Sequence, residues 1–305
     1  MYMPIQALFL ASAVLCVTGA WAAQDFSGST IVAPGAQLEK LAGGFIFTEG
    51  PASDANGNIY FTDQPNDRIH LWSVDGKLST FMQPCGRSNG LCFDPAGKLI
   101  ACADEKNEMW SIDVTTKEHT VLFGTFNGKL LNGPNDVWVH PDGSMYFSDP
   151  FYKRDYWKRG PMEQPLQGVY RVAKGSSTPV LVVNDMQQPN GIIGTADGKT
   201  LYVADIKAKK TYRYTIAADG TLTDKKLHCE MGSDGMTLDD QGNLYITGKG
   251  VTVFDTTGKQ IQQIDIPESW TGNICFGGAD HKLLFITASK SIYGLKMKVS
   301  GVGSQ

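Results

Sequence analysis

Along the chain, short apolar runs alternate with turns rich in Gly, Asp and Pro, and the alternation repeats. The runs Ile59-Tyr60-Phe61, Met145-Tyr146-Phe147, Leu201-Tyr202-Val203 and Leu244-Tyr245-Ile246 are aromatic and β-branched, the composition that strands prefer. Strict apolar/polar alternation is weak within them, which predicts sheets buried on both faces. Between paired runs stand Asp94-Pro95-Ala96-Gly97 and His140-Pro141-Asp142-Gly143, residue types that reverse a chain in a hairpin.

Aligned on these turns, the sequence contains six copies of one unit. They are EGPASDANGNIYFTD from residue 49, NGLCFDPAGKLIACAD from 89, NDVWVHPDGSMYFSD from 135, NGIIGTADGKTLYVAD from 190, DGMTLDDQGNLYITG from 234, and the degenerate NICFGGADHKLLFIT from 273. Their first residues are 40, 46, 55, 44 and 39 positions apart. That spacing leaves room for one four-stranded sheet per unit, the period of a propeller blade. The expected fold is therefore all-β, a six-bladed β-propeller over residues 38–300. A solenoid of similar units would need distinct polar caps at its ends, and none is visible. Instead residues 38–48 read as a strand that completes the last blade beside residues 291–295 and closes the ring.

Rotational symmetry turns the leading position of each copy into a site. If it opens the innermost strand, all six residues converge on the central channel: Glu49, Asn89, Asn135, Asn190, Asp234 and Asn273. A single Asn before Gly is ordinarily a turn former; six equivalent polar positions with nothing apolar among them are not explained that way. Glu49 and Asp234 have no Lys, Arg or His at a leading position to neutralise them, and unpaired buried charge is costly. Carboxylate and amide oxygens are hard donors, so the channel is expected to hold one divalent cation, Ca²⁺ first, with Mn²⁺, Mg²⁺ or Zn²⁺ as alternatives. None of the five His stands in the ring, which counts against zinc. Asp136 is expected to point the other way along its strand, behind the ring, and Asn132 to serve a turn.

Composition narrows the partners. Net charge is −4 and no Lys/Arg cluster occurs, which argues against nucleic acid and anionic membrane surfaces. Residues 1–22 carry no charged side chain, contain a short apolar stretch and end in Ala20-Trp21-Ala22, the pattern of a cleaved secretory signal. Residues 23–37 are then an N-terminal extension, and a periplasmic or secreted location follows, with no membrane attachment after cleavage. Beyond the leader remain Cys85, Cys92, Cys102, Cys229 and Cys275, allowing at most two bridges. Cys92 and Cys102 lie on neighbouring strands, as a disulfide or as small buried hydrophobes.

The segments FTEGP (47–51), LNGPNDV (131–137), YFSDP (146–150), QPNGI (188–192) and SDGMTLDDQGNLYIT (233–247) resemble the senescence-marker-protein, gluconolactonase and luciferin-regenerating-enzyme family of six-bladed propellers, most of all its bacterial gluconolactonases. The likeness spans residues 38–297. It implies a metal-dependent hydrolase of sugar lactones. Glu49, Asn190 and Asp234 match the family's metal ligands, and Asn135 matches an Asn that binds substrate or metal. Vertebrate-type members carry an Arg two residues before that Asn, where Gly133 stands here.

The metal set is accordingly Glu49, Asn135, Asn190 and Asp234, with Asp234 also the general base on the attacking water. Asn89, Asn135, Asn273 and Tyr152 are expected to contact the substrate, a small sugar lactone. Chain direction places the segments after Asp63 and Asp149 at the mouth of the channel. The second, residues 150–168 (PFYKRDYWKRGPMEQPLQG), is long enough for a lid, its Phe151, Tyr152, Tyr156 and Trp157 either stacking on a sugar or packing the loop down. Two rivals share the fold: a phosphotriesterase of the diisopropylfluorophosphatase type, and a non-catalytic binding propeller with a structural metal. A Ser-His-Asp hydrolase has no support, since G-x-S-x-G is absent.

Overall fold

The computed structural model describes residues 23–302. The expected leader, residues 1–22 with Cys16, lies outside the described residues, as do residues 303–305. The strands form six four-stranded antiparallel sheets around one axis, and each predicted copy supplies the two innermost strands of a blade. Blade 1, for example, runs outward through Thr48–Ser53, Ile59–Asp63, Arg68–Trp72 and Leu78–Met82. Blade 6 is built from Asn273–Gly277, Leu283–Ala288 and Ser291–Lys296, and its outermost strand is Glu39–Gly43 from the other end of the chain. Glu39 lies opposite Gly294 and Gly43 opposite Ser291. The closing strand is thus present but shorter than residues 38–48.

Burial explains the strand chemistry. Second strands such as Ile59–Asp63, Met145–Asp149 and Leu244–Gly248 are buried at every position, while the outermost Leu78–Met82 is largely exposed. Apolar side chains on both faces of a blade pack against the blades on either side. One cluster joins blades 1 and 2 through Tyr60, Ile69, Leu91, Leu99 and Trp110, and another joins blades 2 and 3 through Ile100, Met109, Val137 and Phe147. Each fully buried side chain of this kind contributes about 1.5–3 kcal/mol. Trp138 behaves as a packing residue between blades 3 and 4. Its ring fills the space a Cβ on Gly194 would occupy, with approaches down to 2.3 Å. Phe26, Ile31 and Val32, ahead of the first blade, are buried against blades 5 and 6.

The predicted turns form as read: the Gly97 N–H donates to the Asp94 carbonyl at 2.9 Å, and that of Gly143 to the His140 carbonyl at 2.8 Å. The Asp94 side chain accepts from the N–H groups of Ala96 and Lys98, which fixes the loop. The disulfide option is not realised. Cys92 sits opposite Ile100 rather than Cys102, and all five cysteines are buried free thiols. Among the described residues no helix is long and apolar enough to cross a membrane.

Candidate functional site

Each inner strand starts irregularly, and that irregularity builds the site. In blade 3 the Ser148 carbonyl accepts from the Asn135 N–H while the Ser148 N–H donates to the Asp136 carbonyl, both at 3.0 Å. Two residues therefore face one, a bulge that bends the strand. Pairing shifts at the same step in blades 1, 2 and 4, between Glu49 and Ala52, Ser88 and Leu91, and Pro189 and Ile192. Gly follows the leading residue in blades 1, 2, 4 and 5. A Cβ on Gly50 would stand 2.0 Å from the Asn89 carbonyl oxygen, and one on Gly235 1.9 Å from the Asn273 amide. Bare backbone at this step lets the next blade's leading residue close in.

Glu49, Asn190 and Asp234 come together in the channel, Glu49 and Asn190 almost fully buried and Asp234 partly so. Asn190 Nδ2 donates to Asp234 Oδ1 at 2.8 Å and to the Tyr152 hydroxyl at 2.9 Å. Both amide protons face acceptors, so Asn190 Oδ1 is turned away, and it is buried without a hydrogen-bond partner. Glu49 Oε2 accepts from the Gly50 N–H at 3.1 Å. Burial first, and the Asp234 charge second, push the Glu49 carboxyl well above the usual range. Burial also raises Asp234, against donors from Trp270 and Asn190 that lower it. Ionisation of Asp234 thus opposes that of Glu49.

Asp136 is not behind the ring. The bulge breaks the alternation that placed it there, and it lies buried among the channel carboxylates, its charge raising Glu49 while that of Asp234 raises it. Burial pushes Asp136 up to about 7, although the N–H groups of Ile192 and Val137 bond its two oxygens. Asn273 hydrogen-bonds to Asp136, so its amide serves that carboxylate rather than the upper channel. Asn89 and Asn135 are buried at their ring positions and are joined to the preceding blade through their carbonyls, Asn89 to the Thr62 hydroxyl and Asn135 to the Gly90 N–H.

Residues 150–167, the expected lid, form an irregular connection that reaches the channel through Tyr152, and Asp104 is its anchor. The Asp104 carboxylate accepts from Arg154 Nε at 3.0 Å, the Tyr156 hydroxyl at 2.6 Å and Gln64 Nε2 at 3.1 Å, while its carbonyl accepts from Trp157 Nε1 at 2.8 Å. Tyr156 and Trp157 therefore pack the loop down. Tyr152 is the lid aromatic that reaches the channel. Gly133 explains its own smallness: its φ is +148°, and a Cβ there would stand 2.7 Å from Asp104 Oδ1 and 3.0 Å from the Trp157 ring. The lid occupies the space a longer side chain would need. Asn132 ties the lid's root, its Nδ2 donating to the carbonyls of Asp149 and Leu166.

Two channel neighbours escape a reading by repeats. Trp270 Nε1 donates to Asp234 Oδ2 at 2.6 Å from the connection ahead of blade 6. Arg154 lowers both Glu49 and Asp234 by its charge. Both residues lie in connections outside the repeated unit, where no copy in another blade aligns with them. The only signals were a tryptophan just ahead of a leading residue and a basic run in a long loop.

The donor set fits a hard divalent cation: Glu49 and Asp234 supply charge that needs neutralising, and Asn190 Oδ1 is a buried acceptor without a donor. Among the described residues no three His, Cys, Asp or Glu side chains gather as a metal cluster. The channel set depends on amides to complete it.

Residues 47–290 match the family model described as the SMP-30/Gluconolactonase/LRE-like region. A gluconolactonase of Zymomonas mobilis is 27% identical over 294 residues, covering 87% of this chain and 82% of that protein. A pentonolactonase of Haloferax volcanii is 27% identical over 245 residues, 76% of this chain and 77% of the relative. The solved structure of a Xanthomonas campestris gluconolactonase superposes with a TM-score of 0.82 at 26% identity, covering 90% of this chain and 94% of the other.

Proposed function

Because this chain belongs to the SMP-30/gluconolactonase/LRE-like family, we propose that it is a hydrolase of sugar lactones that works with a divalent cation, Ca²⁺ first, held by Glu49, Asn190 and Asp234 with Asn135 beside them. The observation that carries the reading is the meeting of Glu49 and Asp234, two carboxylates that burial disfavours, beside an Asn190 amide that bonds Asp234 through Nδ2 and leaves its buried Oδ1 unpartnered. Relatives named gluconolactonase and pentonolactonase supply the substrate class. When bound, the cation supplies Lewis-acid polarisation of the lactone carbonyl.

The chain's own residues do the rest. Asp234 takes a proton from the attacking water, as a positioned carboxylate can. Trp270 Nε1 and Asn190 Nδ2 hold its two oxygens at 2.6 and 2.8 Å, which sets its orientation. The Tyr152 hydroxyl accepts from Asn190, so its own proton is available to a substrate oxygen. Burial raises the Tyr152 pKa and keeps that proton in place. Asn89 and Asn135 orient sugar hydroxyls from the ring. The lid excludes water, with Asp104 as its clasp. An exported location accompanies this reading on the strength of the charge-free leader alone; intact mass of the mature protein checks cleavage after Ala22.

The test is turnover of glucono-, galactono- and xylonolactone by metal-stripped and reloaded protein, followed by pH-stat and corrected for spontaneous opening. Turnover that vanishes with chelator and returns with Ca²⁺ is expected. No chelator-sensitive turnover on any of the three sinks the reading, and faster turnover of an organophosphate on the same protein redirects it to phosphotriester hydrolysis.

A further inference from the structure

The lid is basic in an acidic chain: residues 150–168 hold Lys153, Arg154, Lys158 and Arg159 against Asp155 and Glu163, while the whole protein carries −4. Lys153, Arg154 and Arg159 line one cavity of about 370 Å³ together with Phe151 and Trp157. That volume is within the range of small-ligand sites.

Arg159 is the unusual member. Its guanidinium lies over the rings of Trp157 and Phe151, 4.9 and 5.6 Å from their centroids. Nη1 donates to the carbonyls of Leu131 at 2.6 Å and Asn132 at 3.2 Å. Nε and Nη2 are buried without an acceptor among the described residues. These two nitrogens form a side edge of the guanidinium, the edge that takes a carboxylate or phosphate in two parallel N–H···O bonds. The carboxylates of Glu163, Asp149 and Asp104 act on Arg159 through charge. They are committed elsewhere, Glu163 to the Leu130 N–H and Asp149 to those of Asn132 and Gly133. Arg154 links cavity to channel: it lies 5.3 Å from the ring centroid of Tyr152, whose hydroxyl is bonded to Asn190.

We propose that the lid cavity is a subsite for an anionic group, phosphate or carboxylate, carried on the carbon of the sugar lactone remote from its ring carbonyl, with the Arg159 guanidinium and the Lys153 ammonium as its cationic groups. The placement of the sugar ring rests on the lactonase reading; the anion site itself is a matter of binding and is measured as such. It makes the lid a selector of charged over neutral lactones.

Calorimetric titration of the metal-loaded protein with gluconate, glucarate and 6-phosphogluconate tests it. These open-chain acids are not hydrolysed and differ only in the group at the far carbon. Binding of 6-phosphogluconate or glucarate about tenfold tighter than gluconate is expected, the worth of one charge-assisted pair. A preference for the first identifies phosphate, and for the second carboxylate. Arg159→Gln should erase the margin and leave gluconate binding unchanged; Lys153→Gln, on an exposed lid residue, should narrow it and serves if the first variant does not fold. Equal affinities, no binding of any acid, or a margin that survives both substitutions overturns the subsite. Loss of chelator-sensitive turnover on neutral lactones would instead overturn the lactonase reading, with the binding margin still measurable.

Discussion

Two sets of buried carboxylates lie a few residues apart in the blades and are treated in opposite ways. At the ends of second strands, Asp63 accepts from the N–H groups of Ile46 and Phe47, Asp149 from those of Asn132 and Gly133, and Asp205 from those of Gln187 and Gln188. In each case the donors stand three and two residues ahead of a leading residue, so the carboxylate grips the backbone that aims Glu49, Asn135 or Asn190 into the channel. In the ring, Glu49 receives chiefly one adjacent N–H, and Asp234 is met by the side chains of Trp270 and Asn190 rather than by backbone. A buried carboxylate met by backbone donors fastens one chain segment to another; one whose partners are side chains of the ring can exchange them for a ligand. Asp104 departs from the first set. In blade 2 the same strand end serves the lid instead of the backbone of its own blade.

The sharpest way to break this comparison is to neutralise the ring. Asp234→Asn and Glu49→Gln should each lower lactone turnover by about 10²–10⁴-fold. Without added cation they should leave the thermal midpoint unchanged or raised, because a repelling buried charge is gone. A loss of stability in these variants as large as that of a strand-end variant would erase the distinction.

The strand-end counterpart, Asp149→Asn, should cost about 1–3 kcal/mol in urea unfolding, since the new amide protons find no acceptor. Burial outweighs its two N–H donors and pushes Asp149 up from 3.8 to about 7. The native state then binds more protons than the unfolded chain between those values. Its contribution to stability is complete below 3.8 and is lost as pH rises through about 7. Urea midpoints across that window should fall less steeply in Asp149→Asn than in the wild type; identical slopes refute the assignment.

The smallest effect belongs to the clasp. Asp104→Asn keeps a polar side chain but removes the ion pair to Arg154. The thermal midpoint should move by less than about 3 °C, while trypsin cleavage within residues 150–168 accelerates several-fold and KM rises more than kcat falls. Unchanged proteolysis would show that Asp104 does not hold the lid.

The blade count, the hairpin turns, the closing strand and the meeting of Glu49, Asn190 and Asp234 were legible because symmetry multiplies a weak local signal. A lone Asn135 is a turn former; at one of six equivalent positions it is part of a surface. Asp136 was misplaced because strand alternation was assumed up to the first strand residue, and the bulge at Ser148 suspends it there. Trp270 and Arg154 stand in connections, which have no repeat to align. Their partners in space are set by how blades and lid pack, with contacts 36 and 50 residues apart in the chain.

What this sequence by itself determined is the architecture and the chemical character of the axis: six copies of one unit must pack radially, and radial packing brings their first residues together whatever else the chain does. Tertiary structure alone decided which polar groups are satisfied and which are left wanting. Hydrogen-bond supply depends on the atoms that arrive from other blades and from the lid, and no local pattern in the sequence encodes that supply. The contrast between Asp149, met by two backbone N–H groups, and Asn190 Oδ1, met by none, exists only in the folded molecule.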